Sequence, residues 1–369
     1  MFKRIAIDNY RCFTNFEFAP GRINLLLGSN GAGKSSLFDA VEAVVDLVAF
    51  EMDVNEVFPS SSRTRWDKRE SQRIELECEI DGGLYHYTLV IRHDVLAERS
   101  MIESEKVVRD GKTLFAFEDE QVHLHRNDGT KGVSFAFRGN RSFLASIDVR
   151  EETRDLIQWR DFIRKVWSIR LDARNIESSS IGEDTTLDRN GENFASWYRH
   201  LSQENPELLE PLWGALRPAV DGFQSLKLVS SGRHGRNRDL TVVMKTSGVT
   251  YEVDFDELSD GQRALIVLYS LIQGTTPRDG CLMLDEPEAH VGLLEIQPWL
   301  VNLCDTFQTH GQVFVISHHP EVVNYMAASQ PFSFTRVDGG PTRVRPADFD
   351  RESGLAPSEQ IARGLSNNE

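Results

Sequence analysis

Gly28-Ser29-Asn30-Gly31-Ala32-Gly33-Lys34-Ser35-Ser36 decides the fold of this chain. The stretch fits the pattern G-x-x-x-x-G-K-[ST], a loop that wraps its backbone around a phosphate. Working outward, Ile23-Asn24-Leu25-Leu26-Leu27 on one side is a short apolar run of buried-strand type. On the other side, residues 37–50 place Leu37, Val41, Val44, Val45 and Val48 at helical spacing. Strand, loop and helix therefore follow in the order the motif requires. Gly28, Gly31 and Gly33 let the backbone bend so that the N–H groups around Asn30, Ala32 and Ser36 converge on an anion, and the helix start adds its partial positive charge. Lys34 reaches toward the β and γ phosphates, and the Ser35 hydroxyl is placed for Mg2+.

Composition limits the alternatives. The chain has 369 residues, 40% hydrophobic and 27% charged, enough for one large core or two modest ones without a long disordered span. A net charge of −16 argues against a surface that grips nucleic acid everywhere, while leaving room for a local basic groove. Cys12, Cys78, Cys281 and Cys304 are widely spaced with no C-x-x-C, which suggests neither zinc nor a disulfide framework and suits a reducing cytoplasm. Met1-Phe2-Lys3-Arg4-Ile5 lacks an apolar signal core, and no apolar run approaches the ~20 residues of a membrane span, so no membrane association is expected.

In chain order, residues 3–7 and 15–18 alternate like strands around the turn Asn9-Tyr10-Arg11-Cys12-Phe13. This I-x-N-[YF]-[RK]-x-F opening, followed by a strand and the phosphate loop, resembles the RecF, SMC and OLD-type branch of ABC ATPases. The resemblance implies a hairpin that covers the nucleotide's base, with ATP and Mg2+ as cofactors. Residues 55–70 are rich in turn formers and read as an exposed loop. Period-2 runs at 73–80, 85–92, 101–108 and 133–137, separated by Asp81-Gly82-Gly83, Asp110-Gly111-Lys112 and Asp128-Gly129-Thr130, predict hairpins of an antiparallel sheet.

Helical periodicity returns at 151–167 and 193–216, with Trp159, Phe162, Val166 and Phe194, Trp197, Leu201 on single faces. These aromatics read as core rather than a base-stacking platform, since no basic residues interleave them. No heptad repeat is sustained, so the long coiled coil of SMC proteins is not expected. Residues 226–231 and 240–245 predict a further hairpin around an arginine-rich loop, Gly232-Arg233-His234-Gly235-Arg236-Asn237-Arg238. That loop is either an ordinary solvated turn or a phosphate-contacting tip.

Leu258-Ser259-Asp260-Gly261-Gln262, ahead of an apolar helix at 264–272, resembles the ABC signature L-S-G-G-Q, departing from it at Asp260. Ser259, Gly261 and Gln262 form a second anion site at a helix start. In ABC proteins such a site caps the γ-phosphate held by another copy, which implies an isologous dimer around two nucleotides. Cys281-Leu282-Met283-Leu284-Asp285-Glu286-Pro287-Glu288-Ala289-His290 then reads as a buried strand ending in two acids. Asp285 is the candidate Mg2+ ligand and Glu286 the group that polarises the attacking water. The stretch resembles the D-E-P-E-x-H of OLD-type ATPases. Gln312-Val313-Phe314-Val315-Ile316-Ser317-His318-His319-Pro320-Glu321 supplies a last strand, and alignment on T-H-S-P-E places the switch histidine at His318, with His319 the alternative. The Q-loop glutamine that the resemblance implies is unassigned. Gln72, Gln121 and Gln158 are all imperfectly positioned, and the Arg138-Gly139-Asn140-Arg141-Ser142 turn occupies the expected place without one.

Only 50 residues follow His319, against the ~100 of a small additional domain, so the Toprim nuclease carried by OLD proteins is not expected. The reading is an α/β, P-loop NTPase of ABC head type, a single domain over 1–369 with an antiparallel β subdomain and an inserted helical lobe. Its lobes are 1–150 with the phosphate loop and hairpins, 151–225 helical, 226–345 with the signature, acids and switch histidine, and a tail at 346–369. The resemblance implies an ATPase that dimerises or forms a higher homo-oligomer and serves as sensor or scaffold for a separately encoded effector, such as a Toprim-like nuclease, in anti-phage defence. Two alternatives stand beside it: a RecF-like repair clamp with DNA as partner, and a nucleotide-gated scaffold with negligible turnover.

Overall fold

The computed structural model describes residues 1–232, 237–274, 280–350 and 352–364. Its contacts divide the chain into two compact units, Met1–Val166 with Gln330–Asp348, and Trp167–Ser329 with Phe349–Glu369.

The first unit carries an eight-stranded antiparallel sheet in the order Phe16–Phe18, Phe2–Asp8, Ser71–Ile80, Gly83–Asp94, Arg99–Arg109, Lys112–Glu118, Gln121–His125, Lys131–Ala136. Two of its hairpins close on Asp-Gly pairs. Asp81 and Gly82 both have positive φ, as do Asp110 and Gly111, the geometry that matches the right-handed twist of the flanking strands. Alternation puts Tyr85, Tyr87, Leu89 and Ile91 on the buried face. The helix Arg154–Arg164 covers that face, stacking Trp159 on Tyr87 at 4.7 Å and setting Phe162 edge-on to Phe2 at 5.5 Å. In the same unit Ile23–Leu27 pairs in parallel with Gln330–Thr335, which in turn pairs antiparallel with Arg343–Pro346. Leu25, Leu26 and Leu27 are all buried, as a parallel strand covered on both faces demands.

In the second unit the fully buried strands Cys281–Asp285 and Gln312–Ile316 run parallel in register, Asp285 opposite Ile316. Helices Asp260–Gln273 and Leu293–Thr309 pack on one another. An antiparallel group, Phe223–Ser231, Asn237–Thr246 and Val249–Asp254, stands beside them in sequence, and Trp167 meets Trp197 edge-on at 5.5 Å. Of the arginine-rich loop at 232–238, residues 233–236 lie outside the described residues, and Asn237 and Arg238 begin the strand Asn237–Thr246.

Several expectations are corrected. The exposed loop at 55–70 holds a helical turn, Val54–Val57, and buries Ser62 and Thr64 against Gln72 and Phe13. The helix expected over 151–167 is α-helical at Arg154–Arg164 alone, and Val166 and Trp167 start the strand Val166–Ile169. The second helical run breaks at Asn205-Pro206, because proline removes an N–H donor and restricts the residue before it. Strands at Lys112–Glu118, Gln121–His125, Ser179–Ser180, Val249–Asp254 and Arg343–Pro346, and a helix in the tail, Pro357–Ala362, had no distinct sequence expectation. The four cysteines are buried and form no disulfide. Among the described residues no helix is long and apolar enough to cross a membrane.

Candidate functional site

In the first unit, Gly28, Gly31 and Gly33 all have positive φ, at 140°, 79° and 103°. At two of them space as well as torsion excludes a side chain. A Cβ on Gly28 would lie 2.3 Å from the Phe334 carbonyl oxygen, and one on Gly33 would lie 2.6 Å from Thr342 Oγ1 and 2.8 Å from Cys12 Sγ. The helix Lys34–Ala49 starts at Gly33 with no side-chain cap, so its first N–H groups are supplied to the loop. Lys34 is buried and its Nζ donates to the carbonyls of Gly28, at 2.5 Å, and Ser29, at 3.1 Å. These bonds draw the ammonium back along the loop, the direction from which it can reach phosphate oxygens.

Two residues absent from the motif fix this loop from the far end of the chain. Thr342 Oγ1 donates to the Ala32 carbonyl at 2.9 Å, and the Thr342 N–H donates to the Cys12 carbonyl. Arg336 donates to the carbonyls of Gly31, Gly339 and Gly340, with its guanidinium over the Trp66 ring. On the hairpin before the loop, Asn9 and Arg11 have positive φ, and Arg11 pairs with Asp39 of the phosphate-loop helix.

The second unit holds the acids and the signature stretch. Asp285 ends its strand 3% exposed, with Oδ2 lacking a hydrogen-bond partner among the described residues. Glu286 follows with φ 50°, its N–H donating to the Ile316 carbonyl at 2.9 Å. A left-handed glutamate costs about 1 kcal/mol or more and is found where neighbouring structure holds it. Its consequence is geometric. Successive strand residues point to opposite faces, yet both carboxylates lie 4.0 Å from the single guanidinium of Arg170. Glu288 is buried, accepts from Ser317 Oγ at 2.5 Å, and has its carboxyl pushed upward by burial.

His318 is exposed, whereas His319 caps the helix Pro320–Met326, its Nδ1 accepting from the Glu321 N–H at 3.3 Å. At the signature stretch Ser259 and Gln262 form a complete capping box on the helix Asp260–Gln273. Gly261 is tight, since a Cβ there would sit 2.8 Å from the His290 carbonyl oxygen. Asp260, the departure from the usual glycine, pairs with Arg263 at 2.6 Å and Arg174 at 3.3 Å, and the Arg263 hydrogen bond above all holds its carboxyl below the ordinary range.

The three glutamine candidates have local roles or settings of their own. Gln72 is buried between the Asn9 carbonyl and His93, a histidine that burial pushes down to about 4. Gln158 accepts from Tyr85 and donates to Asp81, and Gln121 opens an outer strand of the antiparallel sheet. Arg170, Arg336 and Thr342 escaped sequence reasoning because each acts on a segment remote in the chain and none stands in a motif.

The family model described as "AAA domain, putative AbiEii toxin, Type IV TA system" matches residues 23–324. The crystal structure of the SmcHead bound to the C-winged helix domain of ScpA is similar in fold, with a TM-score of 0.57 at 14% identity over 96% of this chain and 99% of that one. The SMC head domain from Thermotoga maritima gives 0.46 at 14% identity over 94% and 99%. No curated protein matches the sequence.

Proposed function

The chain belongs to this AAA domain family, and on that premise we propose that it is an ABC-type ATPase that binds Mg-ATP, closes into a head-to-tail dimer and hydrolyses the nucleotide. The observation that carries the reading is the convergence of Asp285 and Glu286 on one cation through a left-handed Glu286. A buried carboxylate oxygen without a hydrogen-bond donor, as at Asp285, suits a metal-held role. The more exposed Glu286 suits a role on water.

In this reading Gly28, Asn30, Gly31, Ala32, Gly33 and Ser36 present backbone to the phosphates, Lys34 binds their oxygens, and the motifs supply Ser35 and Asp285 as metal-holding groups. Bound Mg2+ would neutralise charge on the phosphate oxygens. Glu286 orients water and accepts its proton. His318 is the switch histidine by its place in the motif, with His319 the alternative. Ser259, Gly261 and Gln262 address the nucleotide held by the other copy. Opening and closing then governs a separately encoded effector, such as a Toprim-like nuclease, in anti-phage defence.

The test is phosphate release by the purified chain, with Glu286→Gln as blank, beside the mass in solution with and without ATP. Release above the blank and an ATP-dependent doubling of mass in Glu286→Gln are expected. An unchanged monomeric mass with ATP bound would overturn the sandwich, and release no greater than the blank would overturn hydrolysis. Addition of duplex DNA ends separates the repair-clamp alternative, which requires marked stimulation.

A further inference from the structure

Glu288 lies on the turn that leaves the strand Cys281–Asp285, and it is 8% exposed. Burying a carboxylate is costly unless a cation or several donors meet it. No lysine or arginine pairs with Glu288 among the described residues, and its Oε2 is buried there without a hydrogen-bond partner. The side-chain donor that does meet it is Ser317, whose Oγ donates to Oε1 at 2.5 Å.

Ser317 is fully buried and immediately precedes His318 and His319. A hydroxyl has one proton, so donation to Glu288 turns its lone pairs away from the carboxylate, and the His319 N–H donates to that oxygen at 3.0 Å. The bonds continue beyond it. His319 Nδ1 accepts from the Glu321 N–H at 3.3 Å, and Glu321 accepts at 2.7 Å from Gln297 Nε2 on the helix Leu293–Thr309. Because a backbone N–H can only donate, the proton of a neutral His319 ring is on Nε2. The chain of bonds thus fixes the backbone of the histidine turn and the tautomer of one of its rings.

A second link runs beside the first. The Glu286 N–H donates to the Ile316 carbonyl at 2.9 Å, and the Ala289 N–H to the Glu286 carbonyl at 3.1 Å. One backbone bond and one side-chain bond therefore join the turn that carries Glu286 to the turn that carries both histidines. Any residue at 286 and 316 can make the backbone bond. The side-chain bond needs an acceptor at 288 and a hydroxyl at 317.

We propose that Glu288 is a positioning residue for hydrolysis, which acts through Ser317 to set the histidine turn against Glu286. It moves no proton in this role. It supplies the acceptor that holds the Ser317 hydroxyl in one orientation. The inference rests on the ATPase reading of the same site, and it holds whichever of His318 and His319 is the switch.

The test measures steady-state phosphate release, ATP affinity and binding stoichiometry by calorimetry, and melting temperature. The variants are Glu288→Ala, Glu288→Gln, Ser317→Ala and the double variant Glu288→Ala with Ser317→Ala. Each alanine change should lower kcat per ATP-binding site about ten- to a hundredfold, with ATP affinity within about twofold of the wild type. The double variant should be no slower than the slower single one, because both changes remove the same link. Glu288→Gln keeps an oxygen facing Ser317 and should recover most of the rate. Ser317→Ala removes a single oxygen atom and serves where Glu288→Ala does not fold. Multiplied effects in the double variant, Glu288→Gln as slow as Glu288→Ala, or alanine variants at the wild-type rate would overturn the role and leave the ATPase reading in place. Wild-type release no greater than the Glu286→Gln blank would overturn both.

Discussion

At Gly33 the phosphate-loop helix starts without a side-chain cap, whereas at Ser259 the signature helix starts inside a complete capping box. Both starts carry the partial positive charge and free N–H donors that favour an anion. In the first, glycine torsions and the crowding by Phe334, Thr342 and Cys12 shape a cradle whose donors are left to a ligand. In the second, Ser259 and Gln262 already satisfy one another, and an anion must compete with them. On the function proposed, the contrast implies different strengths: the loop would bind on its own, and the signature would contribute only when a phosphate is pressed against it.

The largest effect expected is on turnover. Glu286→Gln should lower phosphate release by roughly 100- to 10,000-fold, the range for loss of a general base, with nucleotide affinity kept. Retained release in a steady-state assay would move the water-polarising role elsewhere. Next, Lys34→Ala removes charge-assisted bonds to the phosphates and should weaken ATP about 100-fold by calorimetry. Affinity within twofold of wild type would break the asymmetry between the two helix starts.

Gly33→Ala sharpens the comparison through the backbone. Its left-handed torsion and contact with Thr342 should cost about 1–3 kcal/mol in urea unfolding and abolish measurable ATP binding. Ser259→Ala should cost about 1 kcal/mol as a lost cap, with ATP affinity of the monomer unchanged and the ATP-dependent dimer weakened. A fall in monomer affinity would show that the signature site is not conditional. Smallest of all, Asp260→Gly restores the usual signature glycine and breaks pairs with the exposed Arg174 and the half-buried Arg263, and the melting temperature should fall slightly.

Much of this was legible in local sequence. The strand–loop–helix order around Lys34, the Asp-Gly hairpins at 81–82 and 110–111, and the buried strand ending at Asp285 each follow from rules acting over a few residues. The helix at 151–167 was legible only in part, because its last apolar residues, Val166 and Trp167, satisfy a strand as well as a helix when both faces are buried. The convergence of Asp285 and Glu286 was not legible, since it depends on one left-handed torsion and on Arg170 more than a hundred residues earlier.

By itself the sequence determined which backbone can bend around a phosphate and which side chains carry charge, because glycine torsions, apolar spacing and acid placement are short-range properties. Tertiary structure alone decided that Thr342 and Arg336 close on the loop and that Asp285 and Glu286 share the guanidinium of Arg170. Those outcomes depend on which distant segments share a packed layer, and that is fixed by burying the whole core at once rather than by any local preference.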